Sequence, residues 1–144
     1  MDRVWPVWPL RPHREQSGPR LPHSRVCRSS ADVQQDGSLT GERLFADVKS
    51  FGPNGGPDGV KCDSAGNFYM TGMKEDNNPA GPGTVMVFDP DGTLLGRIIL
   101  PERPVNCGFG GADGKTLYMT ARTGLYRVRT EVVGMPPVPG RPGF

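Results

Sequence analysis

The feature that most constrains the fold is a series of short runs in which apolar and polar residues alternate. Turns with Asp-Gly or another glycine separate these runs, which is the pattern of successive β-hairpins. The runs predict strands near Ser30–Val33, Glu42–Val48, Gly59–Cys62, Asn67–Thr71, Val85–Asp89, Leu94–Ile99, Cys107–Phe109, Thr116–Thr120 and Gly124–Thr130. The turns between them carry Gln35-Asp36-Gly37, Ser64-Ala65-Gly66, Pro90-Asp91-Gly92 and Ala112-Asp113-Gly114. No amphipathic helix is predicted, so the sequence indicates an all-β chain.

These strands also repeat along the chain. NFYMT (Asn67–Thr71) matches TLYMT (Thr116–Thr120), and VMVFDPDGTLLGRI matches the earlier ADVQQDGSLTGERL. A period of roughly 40–50 residues built from four short strands is typical of a β-propeller blade. One whole blade is visible, with the outer half of a preceding blade and the inner three strands of the next. A propeller needs about four to eight blades to close, so about two blades predict an incomplete propeller.

The repeat draws attention to two residues that precede the first strand of neighbouring blades. Aligning the two Tyr-Met-Thr runs, with one extra residue in the second turn, sets Asp58 opposite Asn106. The first strand of a blade lines the central channel, so both side chains are expected at one mouth of it. Carboxylate and amide oxygens are ligands that Ca²⁺ or Mg²⁺ prefers. The alternative for Asp58 is a turn-capping role in Pro-Asp-Gly, as we assign to Asp91, and Asn106 is equally well interpreted as a strand-entry residue.

Composition divides the chain into three regions. The chain has 21 Gly and 16 Pro, a level at which irregular segments are expected. Residues 1–30 form an Arg/Pro-rich leader, predicted to be irregular and disordered because dense proline excludes helix and paired strand. We favour a leader without evolved structure over a polyproline-type ligand or a basic tether. Residues 31–130 carry the blades, and residues 131–144 form a Pro/Gly-rich tail.

Charge and cysteine content exclude several classes of protein. The net charge of +2 gives no strong field for nucleic acid or an anionic membrane, so we expect neither as a partner. No apolar run approaches the roughly 18 residues of a membrane span, and the leader lacks an apolar signal region. Cys27, Cys62 and Cys107 have no metal-type spacing and are interpreted as small reduced core residues. A cytoplasmic location is therefore predicted.

Longer motifs in the same region indicate a family. They are PDGVKCDSAGNFYMTG, followed by GTVMVFDPDGTLLGRIILPERPVNCGFGGADGKTLYMTARTGLYRVR. PDG-x-x-x-D-x-x-G-N-x-Y, the FDPDG turn, PERP-x-N and FGG…LY-T-AR are more specific together than any one hairpin. The chain resembles the SMP-30/gluconolactonase/LRE-like family from about Asp32 to Arg129, in what corresponds to the C-terminal part of its members.

The resemblance implies a six-bladed propeller with a divalent cation, calcium, magnesium or zinc, in its central tunnel. Members hydrolyse lactones, notably sugar lactones, and the aspartate of the PDG motif binds the metal and takes part in proton transfer. By that match Asp58 is the metal-binding and catalytic position, while Asn106 is a candidate substrate-contacting or channel-lining residue. The family's other ligands, a glutamate in E-G-P-x-W and an asparagine in N-G…S-P-D, have no counterpart in this sequence.

Two functional hypotheses follow. The first is a gluconolactonase-like, metal-dependent hydrolase of sugar lactones, with activity impaired or absent in these 144 residues alone. The second is a non-catalytic propeller fragment or an interaction module that uses exposed strand edges. Arg122, just past a strand, is a further candidate for holding an anionic substrate, although a solvated arginine is the preferred interpretation.

Overall fold

The computed structural model describes residues 27–51 and 54–135, and the described chain is all-β with no α-helix. The chain divides into two compact units at residues 52–53. Among the described residues, no helix is long and apolar enough to cross a membrane. The predicted leader lies mostly, and the predicted tail partly, outside the described residues.

The first unit is a single antiparallel hairpin. Strand β1 (Cys27–Val33) pairs with β2 (Leu39–Asp47), and a short 3-10 turn, Val48–Phe51, follows. The hairpin turn ends at Gly37, whose φ of 81° lies in the left-handed region that glycine enters without a Cβ clash. Both strands are longer than predicted, because ladder hydrogen bonds continue past the residues that alternate clearly.

The second unit holds two antiparallel sheets, which correspond to the predicted blades. The first sheet contains β3 (Asn54–Gly55), β4 (Val60–Cys62), β5 (Phe68–Lys74), β6 (Gly83–Phe88) and β7 (Leu94–Leu100). Its order is β3-β5-β6-β7, and β4 also pairs with β5. The second sheet contains β8 (Pro104–Gly110), β9 (Thr116–Ala121) and β10 (Leu125–Arg129), in the order β10-β9-β8. Every predicted strand is confirmed, and β3 is an addition that its two residues were too short to reveal.

An apolar layer lies between the two sheets and fixes how they face each other. Its buried members are Tyr69, Val85, Leu100, Cys107, Leu117 and Met119. The Tyr69 and Phe109 rings meet edge to face, with centroids 5.1 Å apart, a favoured aromatic geometry. Tyr69, Phe109 and Tyr126 therefore all contribute to the packing between the two sheets. Cys62 and Cys107 are free thiols, half-buried and buried respectively, as predicted, while the Cys27 side chain lies outside the described set.

Aspartate carboxylates and glycines together form the hairpin turns. At the β6–β7 turn the Asp89 carboxylate accepts hydrogen bonds from the backbone N–H groups of Asp91 and Thr93, at 2.9 and 2.8 Å. Gly92 then turns the chain with a φ of 88°. Asp91 is exposed at the tip of this turn. The structural assignment of this second Pro-Asp-Gly is thus consistent with the fold.

Candidate functional site

The Pro57-Asp58-Gly59 turn lies in a loop, residues 56–59, that we call the rim loop. It leads into β4 beside the end of β5. The backbone N–H of Asp58 donates to the Thr71 carbonyl at 2.9 Å, and the Thr71 N–H donates to the Gly59 carbonyl at 2.9 Å. Asp58 and Gly59 therefore both oppose Thr71, which makes the strand entry a β-bulge. A bulge bends the chain and re-aims side chains locally.

Thr71 joins the rim loop to the second sheet. Its side chain is fully buried, and its hydroxyl lies 3.0 Å from the Gly59 carbonyl and 2.9 Å from the Val105 carbonyl. The Gly59 N–H also donates to Val105, at 3.1 Å. The backbone next to Asp58 is thus hydrogen-bonded across the gap between the sheets.

Arg103 holds the rim loop from the other side. Its Nε donates to the Gly72 carbonyl at 2.7 Å, and its Nη2 lies 3.5 Å from the Gly56 carbonyl. Arg103 belongs to the connection between β7 and β8, so it ties both sheets to the loop that carries Asp58. The loop is therefore held at both of its ends.

The close approach of the strands at the rim requires glycine at two positions. A Cβ added to Gly59 would lie 2.2 Å from Asn106 Oδ1, which is far inside van der Waals contact. Gly72 has a φ of 95°, and a Cβ there would lie 2.5 Å from the Gly56 carbonyl. These glycines let the Asp58 backbone pass directly beside Asn106.

Asp58 and Asn106 are both exposed. The Asn106 side-chain oxygen accepts the backbone N–H of Cys107 at 2.8 Å, so one of its lone pairs is already used. Asn106 therefore lies next to Gly59, the residue that follows Asp58, at the same end of the two sheets. Their functional assignment remains a prediction.

The predicted repeat alignment was wrong by one residue. Asn106 pairs with Thr120 after a register shift, so Val105 and Asn106 oppose Thr120 as Asp58 and Gly59 oppose Thr71. Asp58 thus corresponds to Val105, and Asn106 corresponds to Gly59. The cause is the hairpin length, because nine residues lie between the paired Val60 and Met70 whereas eleven lie between the paired Cys107 and Met119.

The described residues do not by themselves form a metal site. Over residues 27–51 and 54–135, no group of three or more His, Cys, Asp or Glu side chains is placed to hold a metal ion. Asp58 supplies one carboxylate and Asn106 one amide oxygen that is already an acceptor. This donor set does not fit a divalent cation by itself, since Ca²⁺ takes about six to eight oxygen ligands.

Asp63 has a structural role at the opposite end of the first sheet. Its fully buried carboxylate accepts the N–H groups of Ala65 and Asn67 at 3.0 and 2.9 Å. It also accepts the Tyr69 hydroxyl at 3.2 Å. Burial, and then the neighbouring Asp63 charge, raise the pKa of Tyr69 to about 12. This pair stabilises the base of the blade and is remote from the rim loop.

The Arg122 side chain is hydrogen-bonded to the backbone of the loop between β5 and β6. Its Nη1 donates to the Pro79 carbonyl at 2.7 Å, and it lines an open cavity of about 410 Å³ together with Glu102 and Tyr126. Burial opposes ionisation of the Glu102 carboxyl, but hydrogen bonds from Tyr126 and Thr123 outweigh it and keep that pKa below its usual value. The arginine is thus an exposed side chain tethered to a loop, which agrees with its preferred interpretation.

Sequence reasoning did not assign a role to Thr71 or Arg103, which position the rim loop. The repeated Tyr-Met-Thr carried a signal for Thr71, because Thr120 makes the related contact with the Asn106 carbonyl at 3.4 Å. Arg103 belongs to the PERP-x-N motif, but nothing local indicated its contacts, since its partners lie 31 and 47 residues away in sequence.

Comparisons with known proteins agree with the architecture. A family model for the SMP-30/gluconolactonase/LRE-like region matches residues 23–123. A gluconolactonase of Zymomonas mobilis is 38% identical over 80 residues, which are 54% of this chain and 20% of that protein. A 6-deoxy-6-sulfogluconolactonase of Pseudomonas putida is 39% identical over 90 residues, covering 62% of this chain and 28% of that protein.

A solved gluconolactonase structure from Xanthomonas campestris matches with a TM-score of 0.54 at 33% identity, covering 70% of this chain and 29% of that one. This chain therefore spans less than a third of the length of these relatives. The two sheets of the second unit correspond to blades of a β-propeller, and the described residues form no closed ring. The chain belongs to the SMP-30/gluconolactonase/LRE-like family.

Proposed function

We propose that this chain derives from a hydrolase of sugar lactones in which Asp58 is the catalytic residue. One observation carries the proposal: the Pro57-Asp58-Gly59 turn of the family-matched segment is held at the sheet ends with its carboxylate side chain exposed. The relatives named gluconolactonase and sulfogluconolactonase support a sugar lactone as the substrate class.

In this proposal Asp58 acts as a general base. A water oxygen attacks the lactone carbonyl carbon, and the Asp58 carboxylate accepts a proton from that water. The bond between the carbonyl carbon and the ring oxygen then breaks, and the ring oxygen leaves as a hydroxyl by taking the proton that Asp58 accepted. The hydrogen bonds from Thr71 and Arg103 keep the rim loop in one position, so the carboxylate is oriented before the substrate arrives.

We also propose that Asp58 is one ligand of a divalent cation in a complete site. Its exposed carboxylate and the neighbouring Asn106 oxygen support this. Because the described residues do not complete a ligand set, we expect these 144 residues alone to bind a cation weakly and to hydrolyse lactones slowly or not at all.

The test compares two aspartates in identical tripeptides. Asp58→Asn changes the rim loop, and Asp91→Asn changes the exposed β6–β7 turn as a matched control. Hydrolysis of glucono-lactone is followed with a pH indicator, above the spontaneous rate, with and without added Ca²⁺, Mg²⁺ or Zn²⁺. Cation binding is followed in parallel by the shifts of the backbone amide resonances in NMR spectra.

We expect any cation-dependent rate or spectral change to disappear in Asp58→Asn and to remain in Asp91→Asn. Hydrolysis that is unaffected by Asp58→Asn would contradict the assigned role. Rapid, cation-dependent hydrolysis by the wild-type chain would instead contradict the expected impairment.

A non-catalytic propeller piece is the second candidate. The partial ligand set and the small share of each relative that this chain spans favour it. Under this alternative, neither lactone nor cation changes the amide resonances of Asp58 and Gly59 at any concentration tested, and no rate above the spontaneous one is found. A lactone-dependent shift confined to the rim loop would reject it.

A further inference from the structure

The second sheet ends in a strand whose outer edge has no partner. Within residues 54–135, strand β10 pairs with β9 alone, and no strand covers its other side. The Thr130 N–H donates to Lys115, and the Ala121 N–H donates to the Gly124 carbonyl, both at 2.9 Å. Because inward- and outward-pointing groups alternate along an antiparallel strand, the backbone groups at 125, 127 and 129 point outward from the sheet.

The strand of the first sheet that corresponds to β10 is β6, and it shows which contacts β10 lacks. Strand β6 is paired on both sides, by β5 and β7. From β7, Leu100 and Ile98 add to the apolar layer. In the second sheet the apolar layer ends at Tyr126 and Val128 of β10, which are only partly buried against it. An added strand would therefore gain both backbone hydrogen bonds and apolar contact.

Two of the three side chains that share the exposed face of this edge strand are basic, and the third is Leu125. Arg127 and Arg129 follow one another on the exposed face and are both exposed. They line, with Thr116 and Val128, an open groove of about 410 Å³. Arg129 is ion-paired with Asp113, whereas Arg127 takes part in no ion pair among the described residues.

We propose that the outer edge of β10 binds an extended peptide segment in which acidic and apolar residues alternate. The segment adds to the sheet as a further antiparallel strand. Residues directly opposite each other across such a pair share a face, so acidic side chains face Arg127 and Arg129. The apolar side chains between them lie beside Tyr126 and Val128. This inference goes beyond lactone hydrolysis, since it requires neither Asp58 nor a substrate.

Charge disfavours a second copy of this chain at the same edge. A symmetric antiparallel pair of β10 strands centred on Arg127 would set Arg127 opposite its own copy. Like charges directly opposite one another destabilise a strand pair. An acidic partner replaces that repulsion with attraction, which is why we commit to it.

The probe is the capped peptide acetyl-GEVEVEVG-amide, and its matched control is acetyl-GKVKVKVG-amide. Binding is measured by amide titration of the intact chain at low and high salt. We expect the acidic peptide to bind at least about tenfold more tightly than the basic one, and to weaken as salt screens the arginines. Amide hydrogen exchange should slow at Leu125, Arg127 and Arg129, which point outward, and change little at Tyr126 and Val128.

Three variants complete the test. Arg127→Glu should reduce binding of the acidic peptide by about tenfold or more, and Arg127→Gln should reduce it less. Arg122→Glu, in the turn between β9 and β10, should leave it unchanged. Circular dichroism confirms that each variant is folded. Equal binding of the two peptides, unchanged binding by Arg127→Glu, or no added protection at the outward amides would overturn the proposal. A wild-type dimer that Arg127→Glu abolishes would assign the edge to a second copy and would overturn it as well.

Discussion

Replacing Thr71 with valine tests whether its hydroxyl connects the two sheets of the second unit. Valine keeps the branched shape and the burial but removes the hydroxyl that lies between the carbonyls of Gly59 and Val105. Thr71 is fully buried, so water cannot readily replace the lost donor. The substitution should therefore destabilise the fold without creating a cavity.

The expected magnitude follows from the partners that remain. The Gly59 carbonyl still accepts the backbone N–H of residue 71, and the Val105 carbonyl still accepts the Gly59 N–H. No buried acceptor is left wholly unpaired, so the loss is that of one net hydrogen bond, about 1 kcal/mol. For a domain of 60–100 residues this lowers Tm by about 4–8 °C.

Thr120 offers a matched control within the same sequence repeat. It is exposed, and its hydroxyl makes a single long contact of 3.4 Å with the Asn106 carbonyl. Thr120→Val should change stability by less than about 0.5 kcal/mol. Urea denaturation and thermal melting, both followed by circular dichroism, measure the two variants side by side, and Thr71→Ser should recover most of the lost stability. Equal losses for the two valine variants, or no loss for Thr71→Val, would refute the reasoning.

Three further changes address the glycine contact, the buried phenol and the buried thiol. Gly59→Ala should destabilise the chain by about 1–3 kcal/mol in urea, because the new methyl group meets Asn106, whereas Gly108→Ala enters open space. The pKa of Tyr69 is raised from 10.0 to about 12. The protonated phenol therefore contributes fully to the free energy of unfolding below pH 10, and this contribution is lost as pH rises towards 12. Tyr69→Phe should remove that alkaline loss from the pH dependence of the free energy of unfolding. Burial raises the pKa of Cys107 to about 11, so its alkylation by iodoacetamide at pH 8, mapped by mass spectrometry, should be much slower than that of a solvent-exposed cysteine.

Each of these predictions has a specific contrary result. If Gly108→Ala is as destabilising as Gly59→Ala, the close approach is not the cause. Tyr118→Phe is the control for the phenol, and an alkaline loss that persists in Tyr69→Phe would contradict its origin. Cys62 is half-buried and should react faster than Cys107; the reverse order would contradict the burial argument.

The strands and turns could be predicted because their signals are local. The run that became β7 was predicted as a strand, and its burial alternates along Leu94–Leu100, although Leu95 and Ile99 on its exposed face are apolar. Gly66, Gly92 and Gly114, each placed at a predicted turn, have positive φ angles of 86°, 88° and 66°. The chemistry of the chain therefore specified these elements without any tertiary information.

The rim could be predicted only in part because its contacts are not local. The position of Asp58 before an innermost strand followed from the repeat, but the second hairpin is longer by two residues and not by one, which shifted the alignment by one residue. Arg103 acts on carbonyls far away in sequence, and no period or turn signal marks such a contact. The catalytic and metal-binding roles of Asp58 came from the resemblance and remain predictions.

The segment after β10 changes how the second unit can come apart. Val133 accepts the Ser64 N–H at 2.8 Å, Gly134 donates to the Gly114 carbonyl at 2.9 Å, and Met135 donates to the Cys62 carbonyl at 3.0 Å. These bonds connect the two sheets at the end opposite Thr71 and Arg103. Because the sheets are connected at both ends, they cannot separate by rotating about one connected end. Both sets of hydrogen bonds must break before water reaches the apolar layer. Removing the residues after Thr130 would break one set and would leave the sheets connected at one end only, so that end would act as a hinge.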